Sequence, residues 1–380
     1  MKCCVIIGLL CLPSGLFAQD SALNKSTWWL GGYLKDMVWA RIENGHKGIA
    51  VTNLIHNRIN IQWKNGVTWA SHLEVRNRFY WGKDVIDVPD FKQSIQNQNE
   101  WVNLSTTWIT TRSAVVHSDV ERMWLEFKRR KWNIRAGRQR INWGITNMWN
   151  PNDLFNSYNF LDFDYEERPG SDAIKGQFII SDFSNVEVAV AGTSGGTVMA
   201  AKYFTNYRHY DLQWNAGLYQ GVITAGFGWA GNIKGAGFKG ELQYYGDKND
   251  SLSHFLATLE SDYVFKSGWY VSAGILYNEK GIAHPLNVYN GLIFRVTPRN
   301  LIPTRWNLVL NARKEFTPIF SGSLTTVYAP GTNLLILFPS LHRNLKPNWD
   351  IDLIWQSVFV ESTSFQDLNH TLFLRSRWSF

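Results

Sequence analysis

Past residue 11 the chain has no cysteine, because Cys3, Cys4 and Cys11 all fall in its first segment. That absence excludes a disulfide scaffold, a thiolate zinc site and thiol catalysis in everything that follows. No stretch after residue 20 approaches the roughly 20 consecutive apolar residues of a helical membrane span. A His-Glu-x-x-His motif is also missing, and the Gly-x-Ser-x-Gly spacing at Gly192 to Gly196 falls in a Gly-rich piece with no histidine near it in sequence, so no local nucleophile, base and orienting group assemble a hydrolase. His72 and Glu74 share one strand face and the other histidines are scattered. The reading is no enzyme, no cofactor and no metal. The formal charge of +7 is spread along the chain in small clusters, a pattern that does not favour nucleic acid as a partner.

What the chain has is aromatic surface: 19 Trp, 15 Tyr and 22 Phe in 380 residues, at a mean hydropathy of -0.23. Many aromatics without long apolar runs suit a transmembrane β-barrel, in which only one face of each strand meets lipid. Residues 1–18 carry Lys2, an apolar stretch from Val5 to Leu12 and the ending Leu16-Phe17-Ala18. This reads as a secretory signal peptide cleaved after Ala18; the stretch is too short for an anchor and is interrupted by Pro13. Residues 19–380 are then the outer-membrane β-barrel.

Alternation supports that division. From Val67 to Trp81 one face carries Val67, Trp69, Leu73, Val75, Phe79 and Trp81, and the other His72, Glu74, Arg76 and Arg78. The first face is predicted to meet lipid and the second to line a pore. Short turns test whether neighbouring strands agree. Trp63 and Val67 flank Lys64-Asn65-Gly66, Phe265 and Trp269 flank Lys266-Ser267-Gly268, Phe316 and Phe320 flank Thr317-Pro318-Ile319, and Ile233 and Ala236 flank Lys234-Gly235. Each flanking pair is apolar, so both strands of each hairpin point the same face outward.

Extended along the chain, this gives an all-β, antiparallel barrel of about 16 to 18 strands. The longest connections, 82–116, 144–173 and 278–304, fall on one side, as short periplasmic turns and long external loops require. The chain closes on alternating Leu372, Leu374, Trp378 and Phe380. This strand resembles the C-terminal signal through which outer-membrane barrels meet their assembly machinery.

One stretch departs from simple alternation. Trp132, Ile134 and Ala136 share a face, whereas Ile141 and Trp143 fall on the opposite parity. A bulge near Gly137 would reconcile the two sets and turn Arg138, Arg140 and Asn142 into the lumen. The following loop carries Asp153, Asp162, Asp164, Glu166, Glu167 and Arg168. Folded inward, its carboxylates would oppose the arginines across a constriction and set ion preference. Inward Glu74, Arg76 and Arg78 extend the charged lining.

The order Gly137-Arg138-Gln139, Trp143-Gly144, Asn150-Pro151, Asp153 and Arg168-Pro169-Gly170 resembles a motif of Gram-negative outer-membrane β-barrel proteins of largely unassigned function. Gly-Arg-Gln also resembles alginate-export-type barrels, although Ile145-Thr146-Asn147 lacks the arginine that continues the alginate pattern. The signal-segment ending Phe17-Ala18-Gln19 and the run Asn150 to Asn156 resemble Bacteroidetes members. The resemblance implies a channel or transport role without naming a solute, and the reading of the whole chain is a porin-like channel for small polar or amphipathic solutes in the outer membrane, with lipid around it and oligomerisation possible. Two other readings stand beside it. One is a plugged structural or assembly barrel that binds a surface polysaccharide or a protein partner, and the other is a barrel hydrolase of lipid or glycan.

Overall fold

Alternating side chains become a wall when each strand finds two neighbours, and a closed wall when the first strand finds the last. The computed structural model describes residues 26–43, 48–96, 100–157, 169–246, 253–285, 296–361 and 364–380. The expected signal segment and the acidic run Asp162, Asp164, Glu166, Glu167 and Arg168 lie outside them. The strands begin with β1 (Ser26–Glu43), β2 (Ala50–Asn65), β3 (Trp69–Gly82), β4 (Ser105–Thr110), β5 (Ala114–Arg129) and β6 (Trp132–Gln139). Next come β7 (Ser171–Ser181), β8 (Ser184–Thr193), β9 (Gly196–Tyr207), β10 (Tyr210–Tyr219), β11 (Val222–Ile233) and β12 (Ala236–Gly246). The last are β13 (His254–Val264), β14 (Trp269–Asn278), β15 (Trp306–Thr317), β16 (Phe320–Ala329), β17 (Leu334–Lys346), β18 (Trp349–Glu361) and β19 (Phe365–Ser379). Two short helices, α1 (Lys83–Asp87) and α2 (Phe91–Ser94), follow β3.

Pairing is antiparallel throughout these strands, and β1 pairs with both β2 and β19, Val38 lying opposite Asn53 and Leu374. Closure removes the exposed edges that an open sheet would present. β4 pairs with β5 alone, so the ring itself has 18 strands. The outer face is apolar: Ile174, Val188, Val190, Tyr244 and Leu374 are exposed, while Glu187, Ala189 and Glu241, at alternate positions, are buried inside. Aromatic pairs ring the short-turn end, with centroids 6.4 Å apart for Trp28 and Trp63 and 4.7 Å apart for Trp132 and Phe178. Tyr277 and Trp306, at 4.7 Å, mark the opposite end. Two girdles on an apolar band are the dress of a barrel that crosses a bilayer.

The predicted faces hold in the strands, with local shifts. The β2–β3 hairpin closes at Asn65 and Trp69, around Gly66 at φ +57°, two residues beyond the expected turn. A shift of two preserves parity, so Trp63 and Trp69 still share the outer face. β6 stops at Gln139 rather than running to residue 143. It pairs with β5 and β7 without a register break, so the bulge expected near Gly137 is absent.

Candidate functional site

The site begins where β6 leaves the wall. β3 occupies one edge of β5 for its whole length, and the other edge is shared by two segments. β6 pairs with Arg129 to Met123, and β4 pairs with Asp119 to Val115, joined by a bond from Val120 N–H to the Leu104 carbonyl. The line of the wall is therefore spliced, with residues 104–110 continuing where 132–139 ends. A splice leaves backbone carbonyls in need of donors, and Arg138 supplies them. Its guanidinium donates to the carbonyls of Val120 and Val102, pairs with Asp172 at 2.8 Å and meets Glu100 at 2.9 Å. Asp172 in turn accepts the N–H groups of Trp101 and Val102 at 3.1 and 2.9 Å.

Arg138 stands opposite Met123 and Asp172 in register, on the parity of the exposed outer residues Met123 and Ile174. It is nevertheless buried, 2% exposed, because residues 100–104 cover it. The expectation that a bulge turns it toward the lumen is corrected: an unbroken register keeps it in the wall. Gly137 sits within this unbroken register at φ +114°, where a Cβ would lie 2.2 Å from the Met123 carbonyl oxygen. Gln139, fully buried, donates to the carbonyls of Arg135 and Ala173.

Glu100 lies in the connection between β3 and β4, outside the strands. Burial pushes its carboxyl up to about 7, with Arg138 pulling the other way and Glu121, Asp119 and Asp172 adding to the rise. A carboxyl raised above its ordinary value of 4.5 favours the docked segment when protonated, so docking is strongest below about 4.5, weakens as pH rises from there to about 7, and changes no further above it. The segment around residue 100 is expected to be cut more slowly by added protease at pH 5.5 than at pH 8. In Glu100→Gln that difference should vanish; a difference that persists would assign it to another group.

Freed from the wall, residues 140–157 enter the barrel and pack on the inward faces of β8 to β13. Glu241 of β12, fully buried, is the principal anchor. It accepts five hydrogen bonds, from the N–H groups of Ile145, Thr146 and Asn152, the Thr146 hydroxyl and the Asn150 amide. Around it, Asn147 N–H donates to Glu260 at 2.9 Å, Gln213 to the Trp143 carbonyl at 2.6 Å, and the Trp143 indole to Glu187 at 2.9 Å. Lys202 lies 5.5 Å from the Trp143 ring centre and 3.3 Å from Glu187. Ile141, Trp143, Trp149 and Leu154 join a buried apolar cluster with Leu301 and Ile302, which belong to the connection between β14 and β15, and with inward Leu256, Leu276 and Ile336. A second cluster sets Val85 of α1 against Met37, Leu54, Tyr80 and Val115. All three long connections thus send described residues inward.

The rest of the lumen carries charge. Glu74 takes Arg58, His72 at 2.6 Å and Arg122 at 3.3 Å; Arg76 meets Glu121 at 2.7 Å, and Arg78 meets Asp119 at 2.7 Å. Glu74, Arg76 and Arg78 lie on the inner face, each buried within an ion-pair network. On the other side of β1, Asp352 pairs with Arg375 at 3.0 Å and His342 at 2.8 Å, and Asp350 with Arg377 at 3.1 Å. Arg140 and Asn142 are exposed at the root of the inserted segment. Asp153 is buried within it, 1% exposed.

The motif now has physical content. Gly137, Arg138 and Gln139 build the splice. Gly144 lies where a Cβ would strike Asn150 at 2.5 Å, and Asn150 donates to Thr146 and Glu241. The Pro169 carbonyl accepts from Asn156, and Gly170 lies where a Cβ would approach the Glu121 carbonyl to 2.5 Å. The sequence reading placed Glu241 on the inner face but did not find its anchoring role, and Glu187, Gln213 and β4 escaped it, since inward polar residues on alternating strands all look like pore lining until an insert selects among them.

No protein-family model and no curated protein sequence matches the chain. Solved structures do. The chain is similar to the outer membrane protein OprD of Pseudomonas aeruginosa (TM-score 0.59, 8% identity, 96% of this chain and 98% of that one). It is similar also to OccAB4 of Acinetobacter baumannii (0.58, 10%, 92% and 98%) and to OccK5 (OpdH) of P. aeruginosa (0.57, 9%, 92% and 98%). At these identities the likeness is one of fold: the chain is a closed 18-stranded antiparallel barrel of the kind seen in these Gram-negative proteins.

Proposed function

We propose that the protein sits in the bacterial outer membrane as a porin-like channel for small polar or amphipathic solutes, constricted by the segment 140–157. The observation that carries this reading is the Glu241 anchor, five donors from one connection gathered on a carboxylate of the facing inner wall. A wall connection held across the interior narrows it at a fixed depth, and narrowing with charged neighbours is how pores select. The fold likeness to OprD supports the setting. Arg140 and Asn142, at the exposed root of the segment, are assigned to the solute path, and the acidic run Asp162 to Glu167 to its external approach. The lipid-facing girdles fit the membrane, and Phe380, which exchanges backbone hydrogen bonds with Gly32, fits a strand recognised by the assembly machinery.

Single-channel recording in a planar bilayer tests this. Discrete conductance steps are expected, and Arg140→Ala should shift selectivity toward cations, because a fixed positive charge is removed from the path. A folded barrel with no steps would overturn the channel reading. It would favour a plugged barrel, a second reading that draws on the apolar cluster formed inside by Trp143, Trp149, Leu301 and Ile302.

A further inference from the structure

The splice has an outer side as well as an inner one. Residues 100–104 climb over the wall to reach Arg138 and Asp172, and Trp101 comes to rest against β8, its ring 2.6 Å from where a Gly192 Cβ would lie. Trp101 stands proud, 71% exposed. Between it and the wall runs a groove of about 590 Å³, lined by Trp101, Leu104, Met123, Ile174 and Val190 above a floor that includes Gly137 and Gly192. The charged groups at its base, Arg138 and Asp172, already hold each other. Thr197, at the start of β9, marks the end nearest the long connections.

From this geometry we infer that the groove is a seat for a single acyl chain of a membrane lipid in the leaflet on the long-connection side. Two observations select that occupant. The groove is continuous with the apolar belt, since Met123, Ile174, Val188 and Val190 are all exposed on the outer face, so hydrocarbon is the medium that reaches it in a bilayer. It is also concave, with a projecting indole on one side. The convex wall of a second barrel would rest on Trp101 and leave a void beneath, which close packing disfavours; a flexible chain fills it. Because the ion pair below is satisfied within the protein, recognition is of the chain and not of a headgroup. This inference rests on the membrane setting proposed above and is independent of whether the pore conducts.

Native mass spectrometry of the refolded, full-length barrel in mild detergent tests it, with dimyristoyl phosphatidylethanolamine and lipid A added in separate arms. Val190→Trp and Ile174→Trp each fill the groove from exposed positions, whereas Val188→Trp lies on the same face of β8 but outside the lining. The wild type and Val188→Trp should retain one more lipid than either filled variant, with retention at least fivefold lower in the latter at matched activation energy. Retention in both arms supports a chain-only site, and retention in one arm alone would mean that the headgroup is recognised, which overturns it. Equal retention in all four proteins overturns the proposal. So does a dimer or trimer that only the filled variants lose, which would give the groove to a second copy. Heat-modifiable migration on gels verifies that each variant is folded, and conductance, expected to be unchanged, separates failure here from failure of the channel reading.

Discussion

Glu241→Ala is expected to convert the recordings from small, steady steps into larger and noisier ones, because the inserted segment loses its anchor. The carboxylate is fully buried and accepts three backbone N–H groups that no strand ladder serves. Stripping a buried donor of its acceptor costs about 1 to 3 kcal/mol. A net loss of about 3 kcal/mol favours displacement of the segment by roughly a hundredfold, on the rule that 1.4 kcal/mol is a factor of ten. Glu241→Gln is the informative companion, since its amide oxygen still accepts but its NH2 group meets donors. Conductance and noise should fall between wild type and alanine. An alanine variant indistinguishable from wild type in bilayer recordings would mean that the apolar contacts of Trp143 and Trp149 hold the segment unaided.

Arg138→Ala should act on the wall and not on the pore. Removing this guanidinium leaves Asp172 and Glu100 facing one another without it and takes donors from the carbonyls of Val102 and Val120. Breaking a buried pair by deleting one partner costs about 3 to 5 kcal/mol. The expected result is a lower urea midpoint in unfolding followed by tryptophan fluorescence, with ion selectivity unaltered in whatever fraction stays folded. Adding Asp172→Asn and Glu100→Gln to the same chain should restore part of the loss, as the uncompensated charges are then gone. A selectivity shift without a stability loss would return Arg138 to the lumen.

That contrast shows how far the sequence carries. Strand faces were legible from period two alone, because slipping a half-buried strand by one residue exposes its whole apolar set. Thus Val75 and Phe79 point out and Arg76 and Arg78 point in, as alternation says. The opposed parities of Ala136 and Ile141 were legible as an anomaly, but two physical causes give the same pattern. A bulge keeps the chain in the wall and reverses its faces; a departure takes the chain out of the wall altogether. The second is what occurs, and only the pairing of β4 with the vacated edge of β5 distinguishes them. β4 itself is six residues, Ser105–Thr110, too short and too polar to announce a strand. Glu241 had no distinguishing signature, since its role is defined by partners about 90 residues away in the chain.

The splice also separates two obligations that a pore usually imposes on one segment. Since β4 completes the line of β6, the described residues 140–157 contribute no rung to the ring above Gln139. Its length and composition are then at liberty to change while closure is preserved, much as a key blade can be recut without touching the lock housing. A lineage that kept Gly137, Arg138, Asp172 and β4 would possess a chassis into which new linings can be written. Permeability in such a family would diverge faster than architecture, and grafting residues 140–170 between members would be the natural way to exchange it.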